Sequence, residues 1–400
     1  MSMIPITAVE RVKALQEART KVLEGGYNAT PFKDMEKTTR NFAGGYIEGK
    51  MYAITADTAG GKTKFVKATL FQMWRNLYSK EKVGKKFHVI FFALEETYEE
   101  FLDSVIVSFY EKKFEAEILK GEIPSINYPM LNSLYKTVLP DIVWNKINEI
   151  LPLVENFMSH MTLSDINNPT GMYKFCKAKA EELGHGIHHY KERLLSNGQV
   201  TKDYDYYERI NHDLQVIVVV DHMSALKAES SKNDSKHNSM EKWSSHFAKE
   251  YITSKWQWTC VDLLQQMFDP DRGQAFNQKG EVIIRKVEPS LEKLGNNKEI
   301  SRYYYIILGL FNPFYYQINL YPITAPYDIV HFEDSYRCGI VLKNRYGLPG
   351  QKISYYFYGN SFLWKEMPPK KDDYASQALL EELTENHRKR KLILNEQNSF

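Results

Sequence analysis

The stretch "ITADTAGGKTKF", residues 54–65, decides how the rest of the chain is read. Two adjacent glycines and a Lys-Thr pair stand here in the order of the pattern G-x-x-x-x-G-K-[ST]. Gly61, Lys62 and Thr63 occupy its closing positions, but Ala56 stands where the first glycine belongs. Alanine is tolerable there if that residue needs no positive φ. Gly60 and Gly61 let the backbone approach a ligand with no Cβ in the way. Backbone amides of such a loop wrap phosphate oxygens, and the next helix points its positive end at them.

The flanks supply the context this loop needs. "MYAIT" (51–55) reads as a buried strand, and "KTKFVKATLFQMWRNLY" has apolar residues at helical spacing. A binding loop for ATP is therefore expected over Ala56, Asp57, Thr58, Ala59, Gly60, Gly61, Lys62 and Thr63. In it Lys62 would neutralise the β- and γ-phosphates, and the Thr63 hydroxyl would hold Mg²⁺.

Further along, "HVIFFAL" (88–94) is a second buried strand ending in Glu95-Glu96, with helical character over 97–119. "LQVIVVVDHM" (214–223) is the most β-branched run, with Asp221 at its end. A helix over 240–255, the strand "TCVDLLQQM", and strands at 303–311, 338–343 and 352–358 follow. Strands alternating with helices predict an α/β fold with a largely parallel central sheet flanked by helices. In such sheets the C-terminal strand ends line the ligand crevice. Asp221 then has the character of a second metal-holding carboxylate, in preference to a mere cap on the next turn. Glu95 is the choice for the carboxylate that orients and deprotonates water. Glu96 is expected in the first turn of the next helix.

In this order the motifs resemble the RecA-like P-loop ATPase domain of the DnaB family of replicative helicases, collinear over roughly 30–367. That family's P-loop often begins with alanine and reads A-x-P-x-x-G-K-T; here Thr58 replaces the proline. Its "F-S-L-E-M" is similar to "FALEE", which points to Glu95 as the catalytic glutamate. Its "I-D-Y-L-Q-L" resembles "VVVDHMSAL", with Asp221 as the metal aspartate. Its "A-L-S-Q-L" is similar to "DLLQQM", which points to Gln266 as nucleotide sensor. Its "K-x-R-N-G" resembles "LKNRYG" (342–347), so Lys343 and Arg345 inherit a reach into a neighbouring subunit's ATP. Alone, that segment reads more simply as a solvated basic turn.

The resemblance implies an ATP-dependent DNA helicase or translocase of DNA replication: a homo-oligomer, by family habit a hexameric ring, around single-stranded DNA. A primase or a loader would be partners. An arginine supplied in trans needs a second subunit on physical grounds alone. Two other readings stay open: a recombinase-like or clock-type RecA ATPase that does not unwind, and a non-catalytic protein retaining the fold.

Three departures bear on unwinding. Only about thirty residues, read as a linker helix (1–30), precede the ATPase domain (31–367), where the family has a helical domain. A phage-type or plasmid-type version is the expectation. The family's acidic "I-E-Q-D-A-D" stands as "ISRYYYI" (300–306). A polar segment, 184–213, reads as an insertion, and its "GHGIHHY" (184–190) as an exposed loop in preference to a metal site.

DNA contacts are expected from loops 227–238 and 269–287, through Lys232, Lys236, Arg272 and Lys279. A solvated flexible loop is the equal alternative for each of these. The tail, 368–400, reads as a charged peripheral helix, with "HRKRK" (387–391) either on nucleic acid or solvated.

Bulk properties narrow the classes. A chain of 400 residues with 43% hydrophobic and 26% charged residues is globular. Net charge of +2 provides no global basic field, which argues against histone-like coating. Cys176, Cys260 and Cys338 form no C-x-x-C pair, so neither a disulfide scaffold nor a zinc site is expected. No apolar run approaches a membrane span and no signal peptide is legible. The expectation is a cytoplasmic protein, in the host cytoplasm if viral, with no membrane partner.

Overall fold

The computed structural model describes residues 46–78, 86–132, 138–229, 235–266, 282–322, 326–345, 347–368 and 374–397, with Val12, Lys13 and Gln16. Those last three are helical, and the rest of the expected linker helix lies outside the described residues.

The strands are β1 (Met51–Ala56), β2 (Lys86–Ala93), β3 (Met161–Ser164), β4 (Gly186–Leu194), β5 (Val200–Arg209), β6 (Leu214–Asp221) and β7 (Thr259–Gln265). β8 (Ile306–Phe311), β9 (Leu320–Tyr321), β10 (Tyr327–Asp328), β11 (Tyr336–Asn344), β12 (Lys352–Tyr358) and β13 (Leu363–Glu366) follow. The central sheet has nine strands in the order β13-β12-β11-β8-β1-β7-β6-β2-β3. From β8 to β3 the pairing is parallel, while β11, β12 and β13 add an antiparallel flank.

Burial explains why the inner strands read as continuous apolar runs. Ile217 and Val219 of β6 enter one core, with helices α1 (Lys62–Tyr78), α2 (Tyr98–Lys113) and α3 (Asp141–Met158). Val216, Val218 and Val220 enter the other, with α4 (Pro169–Glu182) and the helix over Lys242–Lys255. A strand covered on both faces has no solvent side to mark with polar residues. Each such side chain contributes about 1.5–3 kcal/mol of burial.

Helix starts follow local chemistry. Thr97 caps α2 in a reciprocal box with Glu100, at 3.2 and 2.8 Å. Asn168 caps α4 ahead of Pro169, accepting from the Gly171 amide at 2.7 Å. The expected 240–255 helix is an α-turn, Lys236–Glu241, running into a π-helix over Lys242–Lys255. Asp262, buried in β7, takes hydrogen bonds from Trp243 Nε1 (3.1 Å) and Tyr304 OH (2.8 Å), tying that helix to the sheet.

Several expectations are corrected. Helix α3 went unread; its Val143, Ile147, Ile150, Val154 and Phe157 form a buried stripe at helical spacing. Residues 184–190, expected as an exposed loop, instead lead into a β-hairpin, β4–β5, which fills most of the 184–213 segment. His185 and His188 are buried there, because aromatic rings from Trp256, Trp258 and Tyr207 enclose its base. Among the described residues no three His, Cys, Asp or Glu side chains gather to hold a metal. The tail forms helix α5 (Tyr374–Gln397), but Arg390 is neither solvated nor free for nucleic acid. It is 3% exposed and pairs with Glu111 at 3.0 Å and Glu115 at 2.9 Å. No helix among the described residues is long and apolar enough to cross a membrane.

Candidate active site

The P-loop joins β1 to α1, as the motif requires. Gly60 cannot carry a side chain, since a Cβ would lie 2.5 Å from the Ala56 Cβ. Gly61 has φ +91°, and a Cβ there would meet the Trp364 ring at 2.9 Å. Trp364 of β13 also packs edge-on against Phe65, so the antiparallel flank buttresses the loop. Ala56 has no positive φ; Ala59, at φ 60°, takes the left-handed position. Alanine at the motif's start is therefore unstrained.

Strand register brings the expected carboxylates to the same edge. Ala93 pairs with Asp221, and the Leu94 amide donates to the Asp221 carbonyl at 2.8 Å, which sets Glu95 beside Asp221. Lys62 is buried, with Nζ donating to Ala56 O (3.2 Å) and Gln265 Oε1 (2.9 Å). Burial pulls the Lys62 ammonium below its ordinary pKa, and the charges of Asp221, Glu95 and Asp57 pull back. Burial pushes the Asp221 carboxyl up to about 6, against a hydrogen bond from Thr63. Asp221 Oδ1 is buried and has no hydrogen-bond partner.

Glu95 remains half exposed and accepts from His222 Nε2 at 2.7 Å, while His222 Nδ1 meets Ser224 Oγ at 2.8 Å. His222 is a residue the sequence reading missed, though it directly follows Asp221. Glu96 is not in the first turn of α2, which Thr97 caps. It turns inward to pair with Lys67 at 2.9 Å, and Lys67 also donates to Ser104 Oγ at 2.8 Å. Between α1, α2 and the turn at Asn360–Phe362 lies a cleft of about 390 Å³, lined by Thr63, Lys67, Glu95, Glu96, Asp221 and Tyr128 among others.

The Gln266 backbone amide donates to Ala56 O at 3.0 Å, but its side chain turns away from Lys62. The side-chain amide donates to Thr55 Oγ1 at 2.9 Å and its oxygen accepts from Ser290 N at 3.4 Å. Gln265 holds Lys62 and donates to Thr58 Oγ1 at 3.2 Å. Side chains alternate along a strand, so these neighbouring glutamines point to opposite faces.

Lys343 and Arg345 are not at this edge. β11 runs antiparallel to β8, so its C-terminal end lies where the parallel strands begin. The Arg345 amide donates to Tyr305 O, and the Tyr305 amide to Met51 O, five residues before Ala56. At about 3.3 Å per residue that is about 16 Å from the P-loop along the strands. Lys343 Nζ donates to Ser301 O at 2.6 Å, and Arg345 to the carbonyls of Arg302 and Tyr304. Of the expected DNA-contacting residues, Lys232, Arg272 and Lys279 lie outside the described residues. Lys236 opens the short helix Lys236–Glu241, and its side chain is likewise outside.

No protein-family model matches the chain, and no curated protein matches it. Solved structures do. One is an ATPase domain, similar at TM-score 0.58 with 15% identity, over 90% of this chain and 99% of that one. Another is a DnaB-like replicative helicase described with its interactions with primase. It is similar at TM-score 0.56 with 16% identity, over 91% of this chain and 67% of that one. The fold is that of a RecA-like ATPase domain. The likeness to DnaB-type ATPase domains expected from the motifs is thus present in three dimensions.

The residues at the P-loop edge fit Mg²⁺ and a nucleotide. A hydroxyl, Thr63, and a carboxylate with an orphaned oxygen, Asp221, make the hard oxygen donor set that Mg²⁺ prefers. The side-chain-free cradle at Gly60-Gly61 admits phosphate oxygens against the backbone.

Proposed function

We propose that the chain is an ATP-driven motor of the DnaB type that moves on single-stranded DNA in replication, hydrolysing Mg-ATP at the interfaces of a ring. The observation that carries this reading is the convergence of Lys62, Thr63, Glu95 and Asp221 on one sheet edge, with Arg345 out of reach on the other.

In this reading Lys62 holds the β- and γ-phosphates, displacing its present contact with Gln265. Thr63 and Asp221 hold Mg²⁺, which when bound neutralises charge on the phosphate oxygens. Glu95 orients the attacking water and accepts its proton, and His222 keeps the carboxylate aimed. Gln265, next to Lys62 and Thr58, takes the nucleotide-sensing role. Lys343 and Arg345 act on the γ-phosphate of the next subunit, which requires an oligomer, by family resemblance six copies. The loops bearing Lys232, Lys236, Arg272 and Lys279 would grip the DNA backbone, and a primase or loader would attach outside the ring.

The test is ATP turnover with and without single-stranded DNA, for the wild type and Arg345→Ala. DNA should stimulate turnover, and the substitution should cut it by about 10³–10⁵-fold, as loss of an arginine finger does. Turnover indifferent to both DNA and Arg345 would retire the motor reading.

A further inference from the structure

The edge carrying Lys343 and Arg345 holds two more cations that no motif pointed to. Lys50 stands one residue before β1 and lays its ammonium over the Tyr305 ring, 5.5 Å from the centroid. Tyr305 is the residue whose carbonyl receives the Arg345 amide, at 3.2 Å. Lys249 comes from the π-helix Lys242–Lys255, which abuts the turn before Lys50: a Cβ on Gly49 would lie 3.3 Å from the Thr253 carbonyl. Lys249 feels the charges of Lys50 and Arg345, and Lys343 feels Arg345; burial and this repulsion lower the pKa of both lysines, that of Lys343 to about 8.

Nearby carboxylates do not balance the group, because each is committed to another cation. Glu48 takes Arg209 at 2.7 Å. Glu250 takes Lys255 at 2.9 Å and His246 at 3.1 Å. Glu241 takes Arg302 at 3.5 Å. Among the described residues, none of Lys50, Lys249, Lys343 and Arg345 has a carboxylate within ion-pair distance. Three of the four are half-buried and Arg345 is exposed. Gathering like charges in partly desolvated positions is unfavourable unless an anion is brought to them. Four cations gathered at one sheet edge suit a compact, multiply charged anion better than a strand, whose phosphates need cations spread along a groove.

We propose that Lys50 and Lys249 form one anion site with Lys343 and Arg345, and that it receives the terminal phosphates of the nucleotide bound to a second copy of this chain. This rests on the interfacial reading above and extends it to two residues outside the motifs. Lys50 and Lys249 would add charge-assisted contacts to phosphate oxygens, and Lys249 would make the π-helix part of the subunit interface.

Subunit mixing tests it. Lys50→Ala and Lys249→Ala should each lower kcat for ATP by about 10- to 100-fold, the loss expected for one charge-assisted hydrogen bond. Affinity for single-stranded DNA, measured without nucleotide, should not move. Each alanine variant mixed with Glu95→Gln should turn over faster than the two proteins measured apart, since some interfaces then pair an intact P-loop edge with an intact cationic edge. Lys249→Arg, which keeps the charge, should retain most activity and shows that the helix folds. Unchanged turnover in both alanine variants while Arg345→Ala is inactive would overturn this inference and leave the interfacial motor standing. Turnover lost in parallel with DNA affinity would overturn it in favour of a DNA-backbone site. An active Arg345→Ala would instead sink the reading beneath it.

Discussion

At the P-loop edge of the sheet, the buried ammonium groups face carboxylates. Lys62 lies in the field of Asp221, Glu95 and Asp57, and Lys67 pairs with Glu96 at 2.9 Å. At the opposite edge Lys50, Lys249, Lys343 and Arg345 gather while Glu48, Glu241 and Glu250 are spent on other cations. One chain can fold the first arrangement unaided, because each charge buried there brings its compensation. The second is left unbalanced by its own chain. A site divided between two copies has this form: one edge ready to hold a ligand, the other short of the negative charge that the ligand carries.

The comparison breaks most directly at Glu95. Glu95→Gln keeps an oxygen able to accept from His222 and removes the base, so kcat should fall by about 10²–10⁴-fold with the melting temperature unchanged. Turnover near the wild-type level would mean that Glu95 only balances charge at this edge.

Matched charge also fastens the structure away from the cleft, at Arg390. Its guanidinium sits between Glu111 and Glu115 and 4.2 Å from the Tyr358 ring centroid, joining α5 to α2. Glu111 is 2% exposed, so Arg390→Ala strands a buried carboxylate and should cost about 3–5 kcal/mol in urea unfolding. Arg390→Met combined with Glu111→Gln should recover much of that loss. A single-variant loss below about 1 kcal/mol would show the pair to be no fastener.

The motif residues were legible because their chemistry is local: a glycine pair, a Lys-Thr pair, and acids at the ends of apolar runs. Parallel strands then carried Glu95 and Asp221 to Lys62 through register. That Gln265 and not Gln266 meets the Lys62 ammonium was not legible, because strand phase is invisible where both faces are buried. Helix α3 has regular apolar spacing, but Pro152 interrupts it and obscures a helix in the sequence. The pairing of Arg390 with Glu111, 279 positions apart, has no local signature at all. Neither has the convergence of Lys50, Lys249 and Arg345, which depends on β11 reversing direction against β8. The hairpin β4–β5 was legible only as a polar insertion, with a loop at 184–190, because its strands are mostly polar. What buries its base is Tyr207 of β5 together with Trp256 and Trp258 from elsewhere in the chain.

That hairpin base stands at the unbalanced edge, and it carries the smallest expected effect. His188 is 5% exposed and packs on Tyr207 and Trp256, both at ring-centroid distances of 4.9 Å. Burial, with the Lys177 charge acting in the same sense, holds its pKa down to about 4. A histidine whose folded pKa lies below its unfolded value, about 6.5, costs nothing above that value. As pH falls below 6.5 the unfolded chain takes up the proton and the folded one does not. Stability is therefore lost until the folded pKa is passed, and at pH 5 the loss from His188 is about 2 kcal/mol. His88, also held down to about 4, adds a loss of its own over the same range. His188→Phe keeps an aromatic ring in place and removes the proton site. Urea unfolding at pH 7.5 and pH 5 should show the gap between the two pH values narrowing by about 2 kcal/mol in the variant. An unchanged gap would mean that the folded hairpin base accommodates the extra positive charge, and that this edge tolerates unmatched cations without a ligand.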